Sequence, residues 1–143
     1  MLGAQMKRNE PVSKIMTVGV QTVHTGQKLS EVRKLLADNP YHHVPVVSGD
    51  KLIGMISATD MIKLSLAIYG ADQRAVDAML DGEHSIESVM TKELVTISSK
   101  DTVRAAAEVF GGGLFHSLPV VEGDKLVGLV TSTDVIRYLL AQY

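Results

Sequence analysis

The sequence predicts a mixed α/β fold of the α+β type, in which one β-α-β-β-α unit occurs twice as a pseudo-symmetric pair. Three observations carry this. Sliding the chain against itself gives an ungapped match at an offset of 74 residues, Val12 to Ala67 against Ile86 to Ala141, which marks a tandem repeat. Within each copy, apolar residues switch between strand-like runs and helical spacing. Each copy also contains one seven-residue stretch, Gly54-Met-Ile-Ser57-Ala-Thr59-Asp60 and Gly128-Leu-Val-Thr131-Ser-Thr133-Asp134, which reads as strand, turn and helix start.

Residues 1–11 are polar and without periodicity, and a loose N-terminal tail is expected there. The first repeat, residues 12–70, opens with a short helical turn at Val12 to Met16 and a brief strand beginning at Thr22-Val23. Leu29, Val32, Leu35 and Leu36 then recur at helical spacing, with Ser30, Glu31, Arg33 and Lys34 facing out. That helix should stop at Asn39-Pro40, because proline disfavours helix in the residue before it and has no N–H to donate. Val44 to Val47 and Leu52 to Ile56 are apolar runs split by Ser48-Gly49-Asp50-Lys51, a hairpin signal. Met61 to Tyr69 is apolar around most of its circumference, which predicts a helix buried on more than one face.

Residues 71–85 carry Val76, Met79 and Leu80 at helical spacing and stop at Asp81-Gly82, which predicts a helical linker. The second repeat, residues 86–143, runs in the same order: strand Val95 to Ile97, helix from about Thr102 to Phe110, hairpin Leu118 to Val130 and closing helix Val135 to Ala141. One unit of about 56 residues is marginal alone, so the two repeats are expected to pack through their sheets and closing helices. A lone pair would expose some of Leu64, Ile68, Tyr138 and Leu139, which predicts a homodimer.

Composition excludes several classes of function. The net charge is −2 with both signs interspersed, so no cationic surface is available for a nucleic-acid backbone. The absence of cysteine removes disulfides, thiolate metal sites and thiol nucleophiles, and fits a cytoplasmic setting. No apolar run is long enough for a signal peptide or a membrane span.

The two Ser/Thr-x-Thr-Asp turns gather hydroxyls and a carboxylate at a helix N-terminus, where unpaired N–H groups and the helix dipole attract an anion. The same spacing, Ser57 to Asp60 and Thr131 to Asp134, equally describes a capping box, and the residues alone leave both readings open. Gly54 and Gly128, inside apolar strand runs, predict close approach by another backbone or by a ligand. A metal pair of His42 with His43 is disfavoured, because adjacent strand residues face opposite sides. Gly111-Gly112-Gly113 lacks the Lys-Ser/Thr of a phosphate loop and reads as a flexible helix end. Met16, Met55, Met61 and Met90 fall within apolar patterns and read as core filling. Neither Ser57 nor Thr131 has a histidine base and acidic partner in the pattern, so no catalytic residue and no metal site are expected.

Ile15-Met16-Thr17 with Val89-Met90-Thr91, His-x-x-Pro-Val-Val in both hairpins, and Gly-x-x-Ser/Thr-x-Thr-Asp in both closing turns together resemble a tandem pair of cystathionine-β-synthase (CBS) domains, a Bateman module. The resemblance covers about Val12 to Ala141. It implies a regulatory pair with two clefts between the repeats that take adenosine-containing ligands such as AMP, ADP, ATP or S-adenosylmethionine, and that often dimerises. Carried over by position, it makes Asp60 and Asp134 ribose ligands, and Ser57, Thr59, Thr131 and Thr133 hydroxyl partners of ribose and phosphate. It puts Val44-Pro45 and Leu118-Pro119 along the adenine, with the early threonines Thr22 and Thr96. His42 and His116 stand three residues before the hairpin proline, where members of the family carry a basic residue on phosphate; a surface loop histidine is the alternative. A phosphate beside imidazole favours its charged form, so polyphosphates would bind more tightly near pH 6 than near pH 8. Only Lys14, Lys63 and Arg137 add cations nearby, which favours a monophosphate over a triphosphate.

The chemistry agrees. A carboxylate has two acceptor oxygens for two ribose hydroxyls, and apolar walls suit an adenine ring. The sequence therefore points to a stand-alone module binding an adenine nucleotide or S-adenosylmethionine, without cofactor or catalysis, acting on an unknown protein partner. The alternative is a ligand-free dimerisation or docking domain in which the turns only cap helices. An enzyme is the least supported reading, since no residues remain for a catalytic barrel of the kind that accompanies such pairs in IMP dehydrogenase.

Overall fold

A computed structural model describes residues 9–40, 42–66 and 72–143. Most of the expected tail, with Ile68, Tyr69 and Ala71, lies outside the described residues. The chain divides into two compact units, one of Gln21–Leu94 and the other of Val95–Tyr143 together with the N-terminal stretch up to Val20.

In the first unit, β1 (Val23–His24) runs parallel to β2 (His43–Ser48), and β2 pairs antiparallel with β3 (Lys51–Ser57). Helix α1 (Leu29–Asp38) makes the crossover from β1 to β2, and its Leu29 and Val32 are fully buried, as their spacing requires. It ends at Asn39, before Pro40. The β2–β3 hairpin turns at Gly49, whose φ of +64° is the left-handed conformation that glycine adopts without a Cβ penalty. Helix α2 (Ala58–Leu66) follows β3 directly, then α3 (Gln73–Glu83) and the single turn α4 (Ile86–Val89). Val23, Val44, Val46, Ile56, Met61, Leu80 and Ile86 complete the core with the α1 residues.

The linker helix α3 does not stop at Asp81-Gly82 but continues to Glu83, where the His84 N–H closes the last turn on the Leu80 carbonyl. Arg33 Nε meets Asp77 Oδ1 at 2.6 Å, and Ser30 Oγ donates to Asp81 Oδ2 at 2.7 Å. These polar ties fasten α3 onto α1 while Val76 and Leu80 face the core. Met79, by contrast, is exposed.

The second unit repeats the plan: β4 (Ile97–Ser98) is parallel to β5 (Ser117–Glu122), which pairs antiparallel with β6 (Lys125–Thr131). Helix α5 (Val103–Gly111) and helix α6 (Ser132–Ala141) occupy the places of α1 and α2. β1 and β4 are each one residue or more displaced from the expected Thr22 and Val95 starts, so Thr22 and Thr96 precede their strands. Both hairpins carry a register shift at the same point, between Val46 and Val47 and between Val120 and Val121.

The packing units are not the sequence repeats, because each unit is completed by the opening of the other repeat. In the first unit, Thr91 and Met55 exchange reciprocal backbone hydrogen bonds of 2.8 and 3.1 Å. In the second, Thr17 and Leu129 do the same at 2.7 and 3.0 Å. The 3-10 turn Val12–Lys14 belongs to this second unit, with Val12 fully buried in its core and its N–H donating to the Asp101 carbonyl at 2.7 Å. The Val103 N–H donates to the Glu10 carbonyl at 2.8 Å, so the opening segment also closes the start of α5.

The strand glycines explain the fit. A Cβ built on Gly54 would lie 2.5 Å from Met90 Sδ, and one on Gly128 would lie 2.8 Å from both Met16 Sδ and the Thr17 carbonyl oxygen. The close approach expected at these glycines is therefore made by the exchanged methionines and, at Gly128, by backbone, and not by a ligand.

The closing helices expose apolar side chains, Leu139 of the expected set among them. Leu64 and Tyr138 pack against the two cores, because the inward stripes of α2 and α6 include them. On α2 and α6 the exposed apolar side chains are also Ile62, Ile136 and Leu140, at 59, 56 and 64%, with Leu139 at 38% as expected.

Gly128→Ala should cost more than Gly54→Ala, since backbone blocks the new methyl at position 128 whereas a flexible thioether end can give at position 54. We expect about 2–3 kcal/mol for the first and about 1 kcal/mol for the second, measured by urea denaturation.

Candidate functional site

At one end of the strands of each unit, the last residue of the hairpin becomes the N-cap of a helix. In the second unit, Thr131 Oγ1 accepts the Asp134 N–H at 3.1 Å, while Asp134 Oδ2 accepts the Thr131 N–H at 2.9 Å. In the first, Ser57 Oγ accepts the Asp60 N–H at 3.0 Å and Asp60 Oδ2 accepts the Ser57 N–H at 3.1 Å. Both are complete capping boxes, so the local reading of these turns holds. Each box engages only Oδ2 of its aspartate. A carboxylate has a second oxygen with acceptor capacity, and the box fixes the side chain in orientation.

The histidines belong to the same end by backbone connection. The Ala58 N–H donates to the His42 carbonyl at 2.8 Å, and the Ser132 N–H to the His116 carbonyl at 3.0 Å. Strand register continues the alignment, with His43 opposite Ser57 and Ser117 opposite Thr131. Thr22 arrives there too, because Val23 after it pairs in parallel with Val46; Thr96 stands likewise before Ile97, which pairs with Val120. Each unit thus collects one threonine before its first strand, the histidine His42 or His116, and one helix start bearing hydroxyls and an aspartate.

Exposure divides these residues. His42, His116, Thr59, Thr133 and Thr96 are exposed, while Thr22, Ser57, Asp60, Thr131 and Asp134 are half-buried. Lys63 and Arg137 lie three residues beyond Asp60 and Asp134, on the same helix face and exposed. Lys14 is exposed on the 3-10 turn of the second unit.

Val44 and Leu118 do not present side chains to this surface. Both are fully buried in the cores of their units, because alternate residues of β2 and β5 point inward. Pro45 and Pro119 alternate to the other face, opposite Met55 and Leu129, and are buried as well.

Met16 and Met90 pack against the cores as expected, and with Thr17 and Thr91 they gain a further role that sequence reasoning left unassigned. They hold β6 and β3 two residues before Thr131 and Ser57. The signal was present in the common spacing of Met16 to Gly54 and Met90 to Gly128, although it joins each methionine to the glycine of the other repeat. Among the described residues no three His, Cys, Asp or Glu side chains converge as metal ligands, and no helix is long and apolar enough to cross a membrane.

Comparison with known proteins gives a consistent answer. The family model described as CBS domain matches residues 12–67 and 86–141. The uncharacterized protein MJ1225 of Methanocaldococcus jannaschii is 28% identical over 94% of this chain, which spans 49% of that protein. Its solved structure superposes with a TM-score of 0.77 over 96% of this chain and 50% of that one. The CBS domain pair of protein MJ0100, solved in complex with 5′-methylthioadenosine and S-adenosyl-L-methionine, is 26% identical with a TM-score of 0.73, over 93% of this chain and 98% of that one. A homoserine O-acetyltransferase of Methanohalobium evestigatum is 29% identical over 90% of this chain, which spans 24% of that enzyme. The chain thus spans half or less of these curated relatives.

Ser57→Ala and Thr131→Ala each remove one reciprocal half of a capping box, and each should destabilise its unit by about 1 kcal/mol. Denaturant titration of the single and double variants measures this, and the two effects should add because the boxes share no partner.

Proposed function

Because the chain belongs to the CBS domain family, carrying the domain twice in tandem, we propose that it is a regulatory module whose two sheet ends each take an adenosine-containing ligand. The observation that carries this is the duplicate aspartate, oriented by its own capping box through Oδ2 alone. In our reading the other carboxylate oxygen accepts from ribose hydroxyls, with Thr59 and Thr133 beside it. Ser57, Thr131 and the helix N-termini receive a phosphate or a polar 5′ group, and His42 and His116 flank it. The base lies near Thr22 and Thr96, beside the strand segments Val44-Pro45 and Leu118-Pro119. The complex of the MJ0100 pair with two adenosyl compounds supports this ligand class, from the AMP type to S-adenosylmethionine.

No catalysis is assigned to the chain. Its similarity to homoserine O-acetyltransferase involves only 24% of that enzyme, which supports a role as an attached or associated control element. Occupancy would be passed on through α2 and α6, which begin at the ligand ends and carry the exposed Ile62, Ile136 and Leu140. A homodimer or an unidentified protein partner would cover those side chains.

A docking domain without ligand is the second reading, and the completeness of the capping boxes favours it. Substituting asparagine separates the two. Asp60→Asn and Asp134→Asn keep a carbonyl oxygen for the N-cap N–H but lose the charged second acceptor. Thermal melting against AMP, ADP, ATP, S-adenosylmethionine, 5′-methylthioadenosine and a guanosine control should show a rise of several degrees with an adenosine compound at about a hundred times its Kd. The double variant should lose that rise while its unliganded Tm changes little. No rise with any compound would leave the docking reading in place.

A further inference from the structure

The methionines differ in how they meet solvent. Met55 and Met61 are buried at 7 and 4% exposure, and Met79 projects from α3 at 40%. Among the described methionines, Met16 and Met90 alone combine two properties. Each is partly exposed, and each packs against its core with the thioether over a strand glycine. The chain has no cysteine to intercept an oxidant, so methionine sulfur is its most readily oxidised group.

We propose that Met16 and Met90 are paired oxidative modification sites through which a peroxide unfastens the exchanged opening segments. In the step, a sulfur lone pair attacks one peroxide oxygen. The S–O bond forms as the O–O bond breaks, the sulfur loses two electrons, and the second oxygen leaves as water with both hydrogens. The product sulfoxide is polar and one heavy atom larger. It must sit where the sulfur already lies 2.5 Å from a Cβ position at Gly54 and 2.8 Å from one at Gly128, packed closely on the strand on that side. The sulfoxide therefore swings outward and takes its segment with it, breaking the Thr91–Met55 and Thr17–Leu129 backbone pairs. Met55 and Leu129 stand two residues before the N-caps Ser57 and Thr131, so the loosening reaches the helix starts. Sulfoxide reduction by the thiol-dependent reductases restores the thioether. None of this depends on what the sheet ends bind.

The test is graded hydrogen peroxide treatment of the full chain, with peptide mass spectrometry and Tm followed together. Sulfoxide should accumulate at Met16, Met90 and Met79 before Met55 and Met61, and Tm should fall by roughly 5 °C as positions 16 and 90 convert. Met79→Leu should leave the fall unchanged, while Met16→Leu with Met90→Leu, a near-isosteric change, should abolish it. Methionine sulfoxide reductases should return the oxidised wild-type chain to its starting Tm, a readout that stands even if the double variant does not fold. The proposal is overturned if Met16 and Met90 stay reduced after Met79 is fully oxidised, if they oxidise without a fall in Tm, or if reduction of their sulfoxides brings no recovery.

Discussion

Two methionine-over-glycine contacts, each beside a reciprocal pair of backbone hydrogen bonds, hold the molecule in its present form. Without a Cβ at Gly54 and Gly128, β3 and β6 admit the opening segment of the other repeat. Thr91 and Thr17 then satisfy strand N–H and carbonyl groups that would otherwise seek water. Ile86 and Val12 follow those segments into fully buried positions. Each hydrophobic core is therefore finished by residues remote in sequence, and neither repeat taken as a stretch of chain contains all of its own core.

The same strands deliver the chemistry. From the locked Met55 and Leu129 the chain has only two more residues before the helix caps, so the position of Asp60 and Asp134 inherits the rigidity of the lock. Capping and ligand contact are compatible uses of one carboxylate, since the first uses one oxygen and aims the other. A half-buried aspartate held by its own backbone would lose little side-chain freedom on accepting a hydroxyl from the proposed ligand, which would lower the entropic cost of binding.

Much of this was legible in the residues. The offset repeat, the Gly49 and Gly123 hairpins, the stop at Asn39-Pro40 and the Ser57–Asp60 spacing are local patterns, and local patterns suffice to place them. The facing of β2 was not legible, because Val44, Pro45, Val46 and Val47 are all buried and a run apolar on both faces has no period to read. Nor could the sequence assign Met16 to Gly128 in preference to Gly54, because the two repeats present equivalent partners and only tertiary packing chooses between them. The ties of α3 through Asp77 and Asp81 escaped for the opposite reason: the linker occurs once, so no second copy drew attention to them.

The exchange also sets an order of assembly on the ribosome. One unit is a continuous stretch, Gln21–Leu94, and is inserted within the other, whose pieces lie on both sides of it. Synthesis from the N-terminus delivers every residue of the continuous unit before the other has its sheet. Thr17 and Val12 must meanwhile wait, unpaired, for Leu129 and the core around Leu118 to emerge. The nascent chain thus carries the unpaired Val12–Thr17 segment until the second sheet emerges, and that interval is when a chaperone or a neighbouring nascent copy would meet it.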